Sequence, residues 1–211
     1  IRTFPGKELD NNYSVCTVDI CPVGALTSRD FRFKRRVWLL TSTDSICTGC
    51  SHGCNIHLDH FRNRVERYRP RFNPEVNDHW MCDVGRATYS ELHEDRMLDP
   101  LVNGAVANWH AAAEEVEAKI GRILSAGTGE RIAFVVTPQS SCEDLYLAKK
   151  FAEVLGTNRI YMAGRALGSG DDFLIKPDKN PNHRGFEVVW GPKHGIDHFD
   201  TLVKDVEAGE I

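Results

Sequence analysis

Four unevenly spaced cysteines constrain this sequence more than any other feature. Cys47, Cys50 and Cys54 lie within eight residues, and 27 residues separate Cys54 from Cys82. A [4Fe–4S] cluster needs several thiolates on one tight loop, because its irons lie close together and each takes one sulfur ligand. The pattern C-x2-C-x3-C-x27-C therefore predicts one complete [4Fe–4S] site held by these four thiols.

The residues around the cysteines fit this interpretation. Gly49 and Gly53 let the ligand loop bend sharply, so that backbone N–H groups can approach the sulfurs. Alternating apolar and polar residues over 55–69 predict an antiparallel hairpin, which would carry Cys82 back to the loop. His52 is expected to lie beside the cluster without ligating it, because four thiols are already present.

The alternative reading of the same cysteines is a structural zinc site in an interaction module. Such sites favour two separated C-x2-C pairs, whereas here three thiols lie together and one is remote. A disulfide framework is not favoured, since the seven cysteines are an odd number and the signs of a short secreted chain are missing. The thiols fit a reducing cytoplasm.

Three cysteines lie outside the pattern. Cys21 precedes Pro22, and in ferredoxins the cysteine of such a pair can ligate a different cluster. Its partners would have to precede Ile1, so Cys21 is a possible fourth ligand of a second cluster whose other ligands are missing. Cys16 is expected to be a buried thiol. Cys142 has no base or partner nearby in the sequence and is given no role.

Charge and hydropathy exclude several classes of function. The net charge of −4 argues against nucleic-acid binding, and the arginines within 62–71 are interpreted as a solvated face or a subunit contact. No apolar run approaches the roughly 18 to 20 residues of a membrane span. Residues 131–164 contain no G-x-G-x-x-G fingerprint, so nucleotide binding is not predicted. No residue is proposed as a catalytic acid, base or nucleophile.

The periodicity of the sequence predicts an α+β or α/β fold in three parts. Residues 1–40 end a region that began upstream, and residues 41–100 form a small β-rich cluster module. Residues 101–211 begin a parallel α/β domain. Because the chain opens at Ile1 without an initiator Met, we expect a segment of a longer polypeptide.

Several elements can be predicted within these parts. Residues 36–41 have the composition of a strand, residues 85–93 that of one short helix, and residues 176–185 that of a loop.

The last part of the chain predicts one βαβ unit. Apolar residues recur at helical spacing over 109–124, and the apolar run over 131–136 is typical of a buried parallel strand. Ser140 or Ser141 can cap the next helix. A strand over 159–162 would complete the unit.

Two blocks of the sequence resemble a known family. The run 19–28 (Asp-Ile-Cys-Pro-Val-Gly-Ala-Leu-Thr-Ser) resembles the end of the ferredoxin-like region in the large iron–sulfur subunit of NADH:quinone oxidoreductase, respiratory complex I. The block 47–54, together with 82–86, is similar to the cluster module that this large subunit shares with the molybdopterin oxidoreductases. The resemblance covers residues 10–100 and continues weakly into an α/β region that resembles the start of the molybdopterin-oxidoreductase fold.

This resemblance implies an electron-transfer segment of an oxidoreductase subunit. Residues 1–40 would be the C-terminal remnant of the ferredoxin-like region, and Cys21 would complete a second [4Fe–4S] cluster only in the full-length protein. Electrons would pass from NADH and a flavin in a partner subunit, through iron–sulfur clusters, to quinone. The equivalent cluster of the family lies away from the main path, so this one would relay or store electrons.

The resemblance also implies a location in the cell and an alternative function. Flavin- and NADH-binding and iron–sulfur subunits would be the partners, on the cytoplasmic, inner face of the cell membrane. The alternative is a molybdopterin-dependent oxidoreductase similar to formate dehydrogenase. Many such enzymes carry Lys two residues after the last cluster cysteine, where this sequence has Val84. Val84 favours complex I.

Overall fold

The computed structural model describes two compact units with mixed helix and sheet content. The described residues are 3–127, 129–191 and 198–211. The first unit, here called the cysteine unit, comprises Ile1–Asp95 and Leu167–Pro181. The second, the helical unit, comprises Arg96–Ala166 and Asn182–Ile211. This mixed content with small sheets is compatible with the predicted α+β class.

The cysteine unit is built on a three-stranded antiparallel sheet. Its strands, in spatial order, are β1 (Thr41–Ile46), β2 (Asn55–Phe61) and β3 (Arg64–Pro70). The last two form the predicted hairpin, which is confirmed. Arg62 and Asn63 at its tip have φ angles of 47° and 63°, the left-handed conformation that a two-residue hairpin turn requires.

The strand predicted over residues 36–41 is wrong. Val37–Leu39 form a turn of 3₁₀ helix, and β1 begins only at Thr41. Trp38 is 78% exposed, so its apolar surface does not pack in a sheet. Composition favoured a strand here, but the run lacks the alternation that gives a strand one buried face.

Two short helices flank the sheet. The first, α1 (Cys16–Ile20), is held at its start by Asp83, whose carboxylate accepts from the Val15 N–H at 3.2 Å. Asp83 opens α2 (Asp83–Ala87), which continues as a 3₁₀ turn over Thr88–His93. The single helix predicted over residues 85–93 is thus two short helical segments.

A buried carboxylate, Asp59, pairs with two arginines of the hairpin. Asp59 is 2% exposed and accepts from the Nε atoms of Arg67 and Arg69, each at 2.7 Å. Burial alone would raise the pKa of Asp59, but hydrogen bonds from Arg69 and Arg67 outweigh it and hold the pKa below its usual value. These two arginines therefore neutralise an internal charge, which the interpretation as a solvated face had missed.

The helical unit contains the predicted βαβ unit. Its elements are β4 (Leu101–Val102), β5 (Ala105–Val106), α3 (Trp109–Ala126), β6 (Phe134–Val136), α4 (Cys142–Leu155), β7 (Ile160–Met162), α5 (His183–Trp190) and α6 (His198–Glu207). Strands β6 and β7 pair in parallel across α4, which confirms the unit. Ser141 caps α4 in a reciprocal capping box with Asp144, a device that satisfies two N–H groups at a helix start.

Two boundaries in the helical unit differ from the prediction. The strand over residues 131–136 pairs only from Phe134, because residues 129–131 form a 3₁₀ turn. The loop predicted over 176–185 ends earlier, since α5 begins at His183. Phe186 of that helix is fully buried with Leu145 and Met162 in the core of the unit. None of the described helices combines the length and apolar character of a bilayer span.

Replacing Asp59 tests how far this ion pair stabilises the cysteine unit. Asp59→Asn removes one partner of a buried pair and should lower the free energy of unfolding by about 2 to 4 kcal/mol at pH 7. The pKa of Asp59 is lower in the folded state, so its contribution is present above about pH 4 and is lost as the pH falls further.

Urea unfolding followed by circular dichroism at pH 7 and pH 3 measures both effects. Asp44→Asn on β1 is the matched control, because its carboxylate is largely exposed. Equal losses in the two variants would contradict the assignment.

Candidate metal centre

The four cysteines of the C-x2-C-x3-C-x27-C pattern line one cavity of the cysteine unit. All four are buried, with between 4% and 9% of their surface exposed, and none forms a disulfide. The structure thus brings the remote Cys82 together with Cys47, Cys50 and Cys54.

The loop between β1 and β2 carries the first three thiols. A hydrogen bond from the Cys47 N–H to the Cys54 carbonyl, 2.8 Å, closes its base. The Gly49 N–H points at the Cys47 sulfur at 3.5 Å. Gly53 has a φ of 68°, a conformation that costs glycine little and other residues more. The loop therefore turns tightly enough to put three thiols on one side.

Glycine at position 85 allows the thiols to approach α2. Cys82 is the N-cap of that helix, and its sulfur accepts from the Gly85 N–H at 3.3 Å. A Cβ on Gly85 would lie 2.9 Å from the Cys47 sulfur and 3.3 Å from the Cys82 sulfur. The Gly85 N–H and the sulfurs of Cys47 and Cys82 therefore lie where a side chain at position 85 would have to fit.

Asn77 explains how Cys82 returns to the loop. This side chain is 2% exposed. Its Oδ1 accepts from the Asn55 N–H, next to Cys54, at 2.8 Å. Its Nδ2 donates to the Trp80 carbonyl, two residues before Cys82, at 2.9 Å. One buried amide therefore fixes the chain beside two of the four thiols.

The environment of the thiols disfavours bare thiolates. Burial, above all, raises the pKa of Cys47 to about 11 and that of Cys54 to about 12, and neighbouring thiols add to both shifts. Burial likewise raises the pKa of Cys82. A bound metal cluster reverses this balance, because its positive charge deprotonates coordinating thiols. Four buried sulfur donors with N–H groups directed at them fit a [4Fe–4S] cluster.

The histidine of the ligand loop, His52, does not line the cavity with the four thiols. His52 lies between Cys50 and Cys54 in the ligand loop, but its Nε2 is 2.9 Å from the Val76 carbonyl. The ring is therefore engaged with the backbone beside the cavity, in the place expected for a neighbour of the site. Across residues 3–127, 129–191 and 198–211, no three or more His, Cys, Asp or Glu side chains are grouped as the ligands of a single metal ion.

A segment that sequence reasoning missed closes the cavity. Residues 167–181, here called the strap, belong to the cysteine unit. Leu174 and Ile175 of the strap are buried and line the cavity together with Lys179. The Ser51 N–H, in the ligand loop, donates to the Asp178 carbonyl at 2.9 Å. The apolar run 173–175, flanked by polar residues on both sides, was the available signal.

The N-terminal part of the chain anchors the strap. The Tyr13 hydroxyl donates to the Asp171 carboxylate at 2.6 Å and accepts from the Leu174 N–H at 3.3 Å. Burial and the bond to Asp171 raise the pKa of Tyr13 well above its usual value, so the hydroxyl stays protonated. The Tyr13 hydroxyl thus both donates and accepts a hydrogen bond, and the bond from the Leu174 N–H fixes Leu174 at the cavity.

The other cysteines have different surroundings. Cys21 is partly exposed and does not line the cavity. Nearby backbone N–H groups, that of Leu26 above all, lower the pKa of Cys21. Cys16 is buried, as expected, and donates to the Met81 carbonyl at 3.2 Å. Cys142 is the exposed first residue of α4.

Comparison with known families defines the class of this centre. Residues 40–90 match the family model described as "NADH-ubiquinone oxidoreductase NDSU1/NuoG-like, 4Fe-4S domain". This range contains the whole ligand loop, the hairpin, Asn77 and Cys82. The cysteine unit therefore contains an iron–sulfur domain that binds a [4Fe–4S] cluster.

Similarity to curated proteins extends over most of the chain. The chain is 32% identical over 188 residues to the mitochondrial NADH dehydrogenase [ubiquinone] iron-sulfur protein 1 of Solanum tuberosum, covering 89% of this chain and 26% of that protein. It is 37% identical over 182 residues to a NADH-quinone oxidoreductase subunit of Streptomyces coelicolor, covering 82% and 21%. The NADH-ubiquinone oxidoreductase 75 kDa subunit of Reclinomonas americana is 32% identical over 166 residues, covering 77% and 24%.

These matches identify the family. Residues 40–90 belong to the NuoG-like 4Fe–4S domain family, and most of the chain is similar to iron–sulfur subunits of NADH:quinone oxidoreductases, as the resemblance of its two sequence blocks had indicated. The chain spans about a quarter of the length of these curated relatives.

Asn77→Leu tests whether the buried amide assembles the site. The substitution keeps the volume but leaves the Asn55 N–H and the Trp80 carbonyl without their partner, which should cost about 1 to 3 kcal/mol. We expect a lower free energy of unfolding and a reduced iron content after anaerobic reconstitution. His79→Ala, an exposed neighbour, is the control. Wild-type iron content in Asn77→Leu would contradict this role.

Gly85→Ala tests the packing of sulfur against α2. The added Cβ would meet two thiols, so reconstituted iron should fall sharply. Gly121→Ala provides a matched control in α3, where a Cβ meets nothing within 4 Å. That control should stabilise the protein by about 0.5 to 1 kcal/mol, because alanine favours a helix interior. Iron analysis and thermal unfolding distinguish the two, and equal iron in both would show that the space at position 85 is not needed.

Proposed function

We propose that Cys47, Cys50, Cys54 and Cys82 are the four ligands of this [4Fe–4S] cluster, and that the cluster passes or stores electrons. The observation that carries the proposal is the burial of these thiols around one cavity inside the region that matches a 4Fe–4S domain. No side chain of the centre is assigned an acid, base or nucleophilic role.

When bound, such a cluster accepts and returns one electron at a time. The chain supplies the conditions for this exchange. The N–H groups of Gly49 and Gly85 lie against sulfur, where they stabilise negative charge and favour the reduced state. Leu174, Ile175 and Met81 line the cavity and limit access of water to it. Burial and hydrogen bonding together set the potential.

The chain would act within a respiratory complex I. Its relatives carry the names of NADH dehydrogenase and NADH-quinone oxidoreductase subunits. By analogy, NADH would be oxidised on a flavin in a partner subunit and electrons would travel through iron–sulfur subunits to quinone. The assembly would lie on the cytoplasmic, inner face of the cell membrane, attached through partner subunits. This placement rests on the family alone.

Residues 1–40 would be the end of a ferredoxin-like region. Cys21 would then be the fourth ligand of a second [4Fe–4S] cluster, with its other three ligands outside this chain. The N–H groups around its sulfur, led by that of Leu26, lower the pKa of Cys21 and support a thiolate there. Backbone N–H groups near a sulfur favour a ligating thiolate.

The helical unit would be the start of a molybdopterin-oxidoreductase-like α/β domain, within residues 101–211. The parallel pair β6 and β7, joined through α4, supports this proposal. Val84 lines the cluster cavity where many molybdenum enzymes have a lysine, which supports the complex I family over a formate-dehydrogenase-like catalyst.

Anaerobic reconstitution tests the ligand set. The chain is incubated with iron and sulfide, and iron, zinc and molybdenum are then counted. EPR spectra are recorded after reduction with dithionite. We expect about four irons per chain and a reduced-cluster signal. Cys82→Ala should lose the signal and most of the iron.

Cys142→Ser is the matched control, because this thiol is exposed on the helical unit. It should retain the full iron content and EPR signal. A colourless chain that holds zinc through the same four thiols would overturn the proposal, as would a Cys82→Ala variant with an unchanged cluster.

A further inference from the structure

A cationic side chain lines the cluster cavity. Among the described lining residues, only Lys179 carries a charge besides the thiols themselves; the others are glycines, Met81, Val84, Leu174 and Ile175. Lys179 lies on the strap, outside the residues that match the 4Fe–4S domain. A fixed cation beside an otherwise apolar cavity attracts negative charge placed inside it, and the attraction grows as water is excluded.

The strap holds this ammonium group in place. Lys179 Nζ donates to the Ser169 carbonyl at 2.6 Å and to the Lys176 carbonyl at 2.7 Å. Its alkyl chain lies against Gly168, where a Cβ would come within 2.7 Å of the Lys179 Cε. Two carbonyls and a glycine therefore fix a side chain that is otherwise among the most mobile.

Two carboxylates near the cavity, Asp83 and Asp171, have the opposite charge and disfavour negative charge on the sulfurs. Asp83 and Asp171 both contribute to raising the pKa of Cys82, although less than burial does. Their carboxylates are held by the Val15 N–H and the Tyr13 hydroxyl, respectively. Among the described residues that line the cavity, Lys179 is the cationic one.

We propose that Lys179, which lines the cavity and whose ammonium group is held by two strap carbonyls, is a positioning residue that raises the reduction potential of the cluster. The proposal rests on the ligand set proposed above. Reduction adds one negative charge to the centre, and a fixed cation nearby favours the more negative state. The strap would thus tune the electronics of the cluster as well as cover it.

Variants at position 179 separate charge from packing. Lys179→Gln removes the charge but keeps a hydrogen-bond donor, Lys179→Met keeps the alkyl chain, and Lys179→Arg keeps the charge. Lys176→Gln makes the same charge change elsewhere on the strap, on a residue that does not line the cavity. The reconstituted chain is titrated under argon with redox mediators, and the reduced-cluster EPR signal gives the midpoint potential. Iron content is measured on every sample.

We expect Lys179→Gln and Lys179→Met to bind a full complement of iron but to titrate at a lower potential. A tenfold shift in the reduced-to-oxidised ratio corresponds to about 59 mV for one electron. Lys179→Arg should restore most of the potential and Lys176→Gln should leave it near wild type. A purely structural lysine would not give this pattern, because Gln and Met differ in packing but share the loss of charge.

Two results would overturn the proposal. One is a full cluster with the wild-type potential in both neutral variants. The other is loss of iron from both neutral variants, which would make Lys179 a residue of assembly. Failure of the wild-type chain to form any cluster would instead refute the proposed function, so the two failures are distinguishable.

Discussion

The cysteine unit depends on internal partners for buried polar groups, and Asn77 is the central case. Its amide accepts from the backbone beside Cys54 and donates to the backbone before Cys82. Hydrogen bonds of this kind are modest when water competes, but an unsatisfied amide in the interior is costly. The same logic governs Asp59 and its two arginines. The hydrogen bonds of Asn77 and of Asp59 both join parts of the chain through buried side chains.

The apolar surroundings of the centre determine how readily it holds negative charge. Burial raises the pKa values of Cys47, Cys54 and Cys82, so these thiols resist ionisation. The backbone N–H groups of Gly49 and Gly85 and the ammonium of Lys179 supply the positive character on the protein side. A centre arranged in this way favours the addition of an electron more than the apolar wall alone would.

The local parts of this structure could be predicted from sequence. The spacing of the cysteines, the alternation over the hairpin and the cap of α4 each depend on neighbouring residues, and the structure contains the hairpin and the capped helix. The strand predicted over residues 36–41 was wrong, because the prediction used the composition of this run although its apolar and polar residues do not alternate. The partnership of Arg67 and Arg69 with Asp59 and the return of the strap could not be predicted, because both depend on which side chains the fold brings together. Lys179 therefore had no recognisable signal in the sequence.

The strap enters the cysteine unit only after the polypeptide has passed through Arg96–Ala166, the first part of the helical unit. During synthesis, the ligand loop and Cys82 leave the ribosome well before Leu174 does. At synthesis rates of about 5 to 20 residues per second, this order leaves the thiols uncovered for roughly 5 to 20 seconds. The long detour adds little entropy to closing the strap, since that cost rises only slowly with loop length. The order of the elements thus provides a period in which iron and sulfide can reach an open site before its cover arrives.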